Sequence, residues 1–444
     1  MASFDLIVRG GTVVTAERTG AADIAVSAGR IAAVGAVAGD ASEVIDAKGL
    51  HVLPGVIDTQ VHLREPGLEH KEDLATGTKA AVLGGVTAVF EMPNTKPNTV
   101  TLADLEDKIR RARGRAWCDI AFYVGATPDN LAELAELEQQ RGCAGVKMFM
   151  GSSTGTLLVA DDPTVLQVLK HGRRRMAVHA EDEARLKERF ALVKDGAAPA
   201  MHPVWRDAET AYLATQRLIR LAQEAKRRVH VLHVTTAEEM AFLAQHKDIA
   251  TVETTPQHLT LVAPDCYERL GTYAQMNPPI RDAGHQAALW NAVRAGVVDC
   301  IGSDHAPHTR EEKEKPYPQS PSGMPGVQTL LPLLLDHVHA GRLTLQRLVE
   351  ITSIGPARIF GISGKGGIRV GNDADLTLVD LGAKRVIRKE WIASRCGWTP
   401  FDGIGVTGWP KATIIRGRVI MRDDEVLGAP VGELVRFADT GGTA

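Results

Sequence analysis

A chain of 444 residues is longer than the usual single domain, yet α/β barrels routinely run to this size as one unit with a small satellite. Apolar residues make up 44% and the formal net charge is −3, so the surface is neither the basic field that nucleic acid requires nor an acidic solvating tail. The five cysteines (Cys118, Cys143, Cys266, Cys300, Cys396) lie far apart with no C-x-x-C pair, which argues against a disulfide framework or a thiolate metal site and suits a reducing cytoplasm. No basic segment followed by an apolar one opens the chain, and nowhere do 18 apolar residues run uninterrupted. A soluble, cytoplasmic protein without membrane contact is expected.

Taken in chain order, residues 5–9, 12–14, 23–26 and 30–34 are short β-type runs punctuated by Gly10, Gly11, Gly20, Gly29 and Gly35, the texture of strands joined by tight turns. The same texture returns after residue 365, at 374–380 and 412–421, with Gly417 at a hairpin position. Both ends therefore predict one small β-sandwich domain, contributed by residues 1–53 and 365–444. Between them, apolar runs at 55–58, 86–90, 119–124, 145–149, 176–179, 229–233, 249–253 and 298–301 alternate with amphipathic helical stretches such as 102–109 and 209–218. Eight such units predict a (β/α)8 TIM-type barrel over residues 54–364. The charged run 310–315 reads as a solvated loop, and 309–326, rich in Gly, Pro and charge, as the segment best suited to move over a bound substrate.

Polar residues gather at the C-terminal ends of those runs, where barrel catalysts place their chemistry. Gln60 and His62 follow the first strand, Lys147 lies in the fourth, and His179, His233 and Asp304 follow the fifth, sixth and eighth. A lone histidine is more often a core residue satisfied by a carbonyl, and a lone lysine more often snorkels to the surface. Agreement across five strand ends reverses that weighting. Imidazole with carboxylate suits zinc and related divalent ions, and an open coordination position brings the pKa of water toward neutrality. Lys147 is discordant, because an ammonium is repelled by a dication and offers no lone pair. It must be chemically altered or displaced.

The stretches VHLREPG (61–67), EMPNT (91–95), NPPIR (277–281) and SDHAPH (303–308), in this order, resemble the dihydroorotases of the amidohydrolase superfamily, and the likeness extends over nearly the whole chain. The resemblance implies reversible ring opening of dihydroorotate to N-carbamoyl-aspartate, a step of pyrimidine biosynthesis. It implies zinc, one or two ions per chain, with Lys147 N6-carboxylated as a bridge, His179 and His233 on one metal, and His62 and Asp304 on the other. Arg64, Asn94 and His308 would hold the substrate carboxylate, the arginine in bidentate fashion. Asn277 would contact the ring amide, although Asn-Pro-Pro is equally a turn former. Asp304 would take a proton from the attacking water and pass it to the leaving nitrogen. A homodimer is the default expectation, and association with aspartate transcarbamoylase is a further one.

Two positions depart from the family pattern. Gln60 stands where a His-x-His motif has its first histidine, and a neutral amide oxygen is a weak ligand to zinc or none at all. Gln257-His258 stands where two histidines are common, and His258 reads as a hydrogen-bonding residue of the rim. Two alternatives of function stay open: an allantoinase- or hydantoinase-like cyclic amidohydrolase, or a catalytically silent scaffold for aspartate transcarbamoylase.

Overall fold

The computed structural model describes residues 3–153, 155–193 and 196–438. Its centre is a sheet of eight parallel strands: β1 (Val56–Val61), β2 (Val86–Glu91), β3 (Asp119–Gly125), β4 (Cys143–Phe149), β5 (Met176–His179), β6 (Val229–Val231), β7 (Ala250–Thr254) and β8 (Cys300–Ile301). Every residue of β1 to β4 is buried. This is why these segments read as apolar runs without alternation: helices cover the outside and packed side chains fill the inside. The sheet closes through the chain beyond β8, where His62 N–H donates to His305 O at 2.7 Å and Ser303 N–H donates to Asp58 Oδ1 at 2.9 Å. The (β/α)8 barrel read from the sequence is therefore present.

Strands from both chain ends share a second, nine-stranded sheet. Ser3–Val14 pairs with Thr19–Ser27, Asp40–Asp46 and His51–Pro54, and Leu376–Val386 joins this group to Gly405–Ile415. Its own apolar core includes Leu6, Ile24, Val26, Leu376 and Ile414. Beyond this sheet the chain returns to the barrel: Leu434 pairs with Ile120, and the Phe437 ring packs edge-on against Phe90 at 5.7 Å.

Helix caps fix the loops at the C-terminal rim. Asp182 caps Glu183–Arg189 three residues after His179, and Thr236 caps Ala237–Leu243 three residues after His233. Each cap ties a backbone donor that would otherwise be unsatisfied, so the loop carrying each histidine has little freedom. Thr309 forms a capping box with Glu312 at the start of Arg310–Lys313. Here the sequence reading needs correcting. Within the charged run, Lys313 is fully buried, and its Nζ donates to Pro321 O at 2.8 Å. The run is an anchored turn of helix rather than a solvated loop, and segment 309–326 is pinned at that point. Among the described residues, no helix is long and apolar enough to cross a membrane.

Candidate functional site

One pocket at the C-terminal rim brings together Gln60, His62, Arg64, Asn94, Lys147, His179, His233, Asn277 and Asp304, with Phe149, Ser153 and Ser322 completing its wall. Of the metal- and substrate-binding residues expected from the sequence, His308 alone lies outside this lining. Its ring lies behind Arg64, with Nε2 3.3 Å from Arg64 Nη2 and Nδ1 3.1 Å from Lys71 Nζ. The arginine thus reaches the pocket itself, and the histidine backs it.

Local backbone geometry aims several of these groups. Arg64, His233 and Asp304 have φ of 63°, 38° and 43°, in the left-handed region that non-glycine residues adopt at a cost. Strain of this kind persists where surrounding structure holds it and concentrates at functional sites. Asp304 Oδ1 lies 3.2 Å from His62 Nε2 and accepts from Gln60 Nε2 at 3.1 Å. On its other side the His62 ring meets Asn94 Oδ1 at 2.8 Å. Asn277 reaches Ser153 Oγ at 3.3 Å and His202 Nε2 at 3.1 Å. His258 is held by Thr255 at 2.8 Å and by Pro278 O at 3.0 Å, so both ring nitrogens are engaged away from the pocket.

Burial sets the protonation states. It pushes His62 down to about 4, with Asp304 opposing, and His233 well below its ordinary value, with the neighbouring His179 ring and Lys147 acting in the same direction. Burial also lowers His179. At neutral pH these imidazoles are uncharged, the form that ligates metals. Burial pushes the Lys147 ammonium down to about 7, against Asp304 and Glu253, so an uncharged amine is accessible near neutrality. Its Nζ stands over the Phe149 ring, 4.4 Å from the centroid.

The donor set fits a divalent ion. His179 Nδ1 and His233 Nε2 face each other at 3.1 Å. That is close to the roughly 3.3 Å edge expected between two nitrogens on one tetrahedral zinc. His233 Nδ1 has no hydrogen-bond partner. Glu181 Oε2 lies 3.0 Å from His179 Nε2, and Arg206 Nε donates to Glu181 Oε1 at 3.1 Å. Full burial would raise the Glu181 carboxyl, yet Arg206 and His179 hold it well below the usual carboxylate range. A carboxylate behind a ligating histidine fixes which ring nitrogen faces the metal. The sequence reading missed Glu181 and Arg206; a carboxylate two residues beyond a candidate ligand was the available signal.

Gln60 is in the pocket wall, with its amide nitrogen on Asp304 and its Oε1 buried without a partner. Replacing it by histidine (Gln60→His) is expected to raise the metal retained per chain purified without added metal. Unchanged content by elemental analysis would place position 60 outside the coordination sphere.

Ser153, Asn277 and Ser322 also line a neighbouring cavity of about 450 Å³, whose wall includes Leu186, Phe190 and Trp205. Phe190 is 48% exposed and packs edge-on against Trp205 at 5.1 Å, so an apolar surface stands at the mouth of the site.

Comparison with known proteins places these features in context. Residues 51–420 match the model of the amidohydrolase family. The chain is 37% identical to a dihydroorotase of Methanosarcina acetivorans over 400 residues, covering 87% of this chain and 85% of that one. It is 39% identical to an allantoinase of Rubrobacter xylanophilus over 460 aligned positions, covering 98% of both. The solved L-hydantoinase (dihydropyrimidinase) from Arthrobacter aurescens superposes with a TM-score of 0.93 at 33% identity, covering 97% of this chain and 99% of that one.

Proposed function

We propose, because the chain belongs to the amidohydrolase family, that it hydrolyses the ring amide of a cyclic ureide or imide at a divalent metal held by His62, Lys147, His179, His233 and Asp304. The observation that carries this reading is the convergence of those five side chains from separate strand ends into one pocket. A divalent ion there supplies Lewis-acid polarisation of the ring carbonyl and lowers the pKa of water. Lys147, if carboxylated by carbon dioxide with loss of one proton, would present two oxygens sharing one negative charge in place of a repelled ammonium. Asp304 receives a proton from the attacking water at its carboxylate and returns it to the leaving nitrogen, the two transfers being sequential. Gln60 Nε2 and His62 hold that carboxylate in position.

The identity of the ring rests on two observations that favour different substrates. End-to-end likeness to an allantoinase and an L-hydantoinase, together with the apolar mouth at Leu186, Phe190 and Trp205, supports a five-membered hydantoin-type ring whose substituent projects outward. Arg64 supports the second reading, dihydroorotate. Buried in the pocket wall with Nε donating to Pro307 O at 3.1 Å, it is a guanidinium suited to a substrate carboxylate, with Asn94 beside it. The first reading has the wider support.

A panel of hydantoin, a 5-substituted hydantoin, allantoin and dihydroorotate, assayed with chelated and metal-restored protein, tests both. Metal-dependent opening of at least one ring is expected. Preference for dihydroorotate, lost on Arg64→Ala, would establish the second reading over the first. Absence of turnover on every ring with metal fully restored would instead point to a silent scaffold.

A further inference from the structure

Below the pocket, inside the barrel, a second set of ligand-type side chains comes together. His230 of β6, Glu253 of β7 and Cys300 of β8 lie on adjacent strands, with Glu253 directly opposite Cys300 in the register, and all three are fully buried. His230 Nε2 is 3.4 Å from Glu253 Oε2, Cys300 Sγ is 3.5 Å from His230 Nε2, and Cys300 Sγ is 3.7 Å from Glu253 Oε2. The 3.4 Å between His230 and Glu253 is long for a hydrogen bond to a charged partner, while the two sulfur separations are within the ordinary reach of a thiol. A tetrahedral zinc bound to one nitrogen, one oxygen and one sulfur at ordinary lengths would set its ligand atoms roughly 3.3–3.6 Å apart.

Proton accounting points the same way. When the Thr251 hydroxyl donates to Val229 O at 3.4 Å, its oxygen is left to accept from His230 Nδ1–H at 2.8 Å, which selects one of the two imidazole tautomers. In that tautomer Nε2 carries a lone pair and faces the Glu253 carboxylate, so the Cys300 thiol, which contacts both, has one proton to satisfy two acceptors, and a cation in its place would satisfy both. The Thr59 hydroxyl already donates to Glu253 Oε2 at 2.8 Å, and Glu253 Oε1 is buried with no partner. A carboxylate left this way in a barrel interior is costly. One divalent ion with a thiolate, a carboxylate and a neutral imidazole sums to zero charge.

We propose that His230, Glu253 and Cys300 form an enclosed structural site for a zinc-class divalent ion, separate from the rim pocket. It would fasten β6, β7 and β8 where the barrel needs it, because β8 is only two residues long. This departs from the sequence reading, in which no cysteine spacing suggested a thiolate ligand; the ligands are one per strand, so no short motif records them. Nothing in the proposal depends on which ring the rim pocket opens.

Cobalt substitution separates the two sites, since the rim set contains no thiolate. The full chain, produced in medium with cobalt replacing zinc so that metal enters during folding, is expected to show thiolate-to-cobalt charge-transfer absorption in the near ultraviolet. That absorption should survive His233→Ala and vanish with Cys300→Ser, with loss of one metal equivalent per chain. Cobalt-loaded protein without the absorption, or absorption unchanged by Cys300→Ser, would overturn the site. Should Cys300→Ser not fold, the wild-type spectrum still decides, as does X-ray absorption of zinc-grown protein. A sulfur neighbour at about 2.3 Å supports the proposal, and its absence refutes it.

Discussion

Replacing Lys147 by alanine is expected to lower kcat by about 10²–10³-fold, the scale on which loss of a preorganised electrostatic partner registers, together with a fall in metal content. Nothing else in the pocket can substitute for it. Among the described lining residues the carboxylate is Asp304 alone, so without an anionic Lys147 a divalent ion would face one negative side chain and the Arg64 cation. Burial brings the wild-type amine to about 7, which would make it available for carboxylation. At that value the reactive free amine rises from about one tenth at pH 6 to about nine tenths at pH 8. Reactivation of metal-stripped protein by bicarbonate plus metal should therefore accelerate as pH rises through neutrality, until competing loss of dissolved carbon dioxide levels it. In Lys147→Ala, a small carboxylic acid that fills the vacated space should restore part of the activity. Near-normal turnover of Lys147→Ala, with metal unchanged, would remove the lysine from the site.

What the sequence made legible followed from burial. β5 ends at His179 as its apolar run did, and all eight barrel strands overlap the runs read from the sequence, because a parallel strand covered on both faces leaves an uninterrupted apolar signature. The rim residues were legible because barrel geometry assigns strand ends to one face. Interactions between charged residues far apart in sequence were not. Arg206 and Glu181 look like solvated charges until 25 residues of chain fold them against His179. Lys313 sits in a run of six charged residues (310–315), and nothing local marks it as the one that turns inward. The return of Leu434 and Phe437 to the barrel had no pattern to announce it, since short irregular segments carry no periodicity. His308 contacts Arg64 and Lys71 rather than lining the pocket, and its nearness to Asp304 in sequence says nothing about which side of Arg64 the ring takes.

Asp304→Asn is the sharpest test of proton transfer, and asparagine is the substitution to use. The backbone at 304 has φ of 43°, which asparagine tolerates better than alanine, so the loop keeps its course. The amide retains an oxygen that Gln60 Nε2 can meet at the 3.1 Å now seen, but it cannot take up a proton at neutral pH. If Asp304 shuttles the proton from water to the leaving nitrogen, kcat should fall by about 10²–10⁴-fold, the range general acid–base groups supply. Metal should be retained, because His62, Lys147, His179 and His233 are untouched. KM should change less than kcat, because Arg64 and Asn94 are untouched. A merely structural role predicts the opposite division: weaker metal binding through loss of the partner of His62, with activity recovering at high metal concentration. Activity of Asp304→Asn restored by excess metal would assign the carboxylate to coordination alone, and a rate that stays low at full occupancy would assign it the proton.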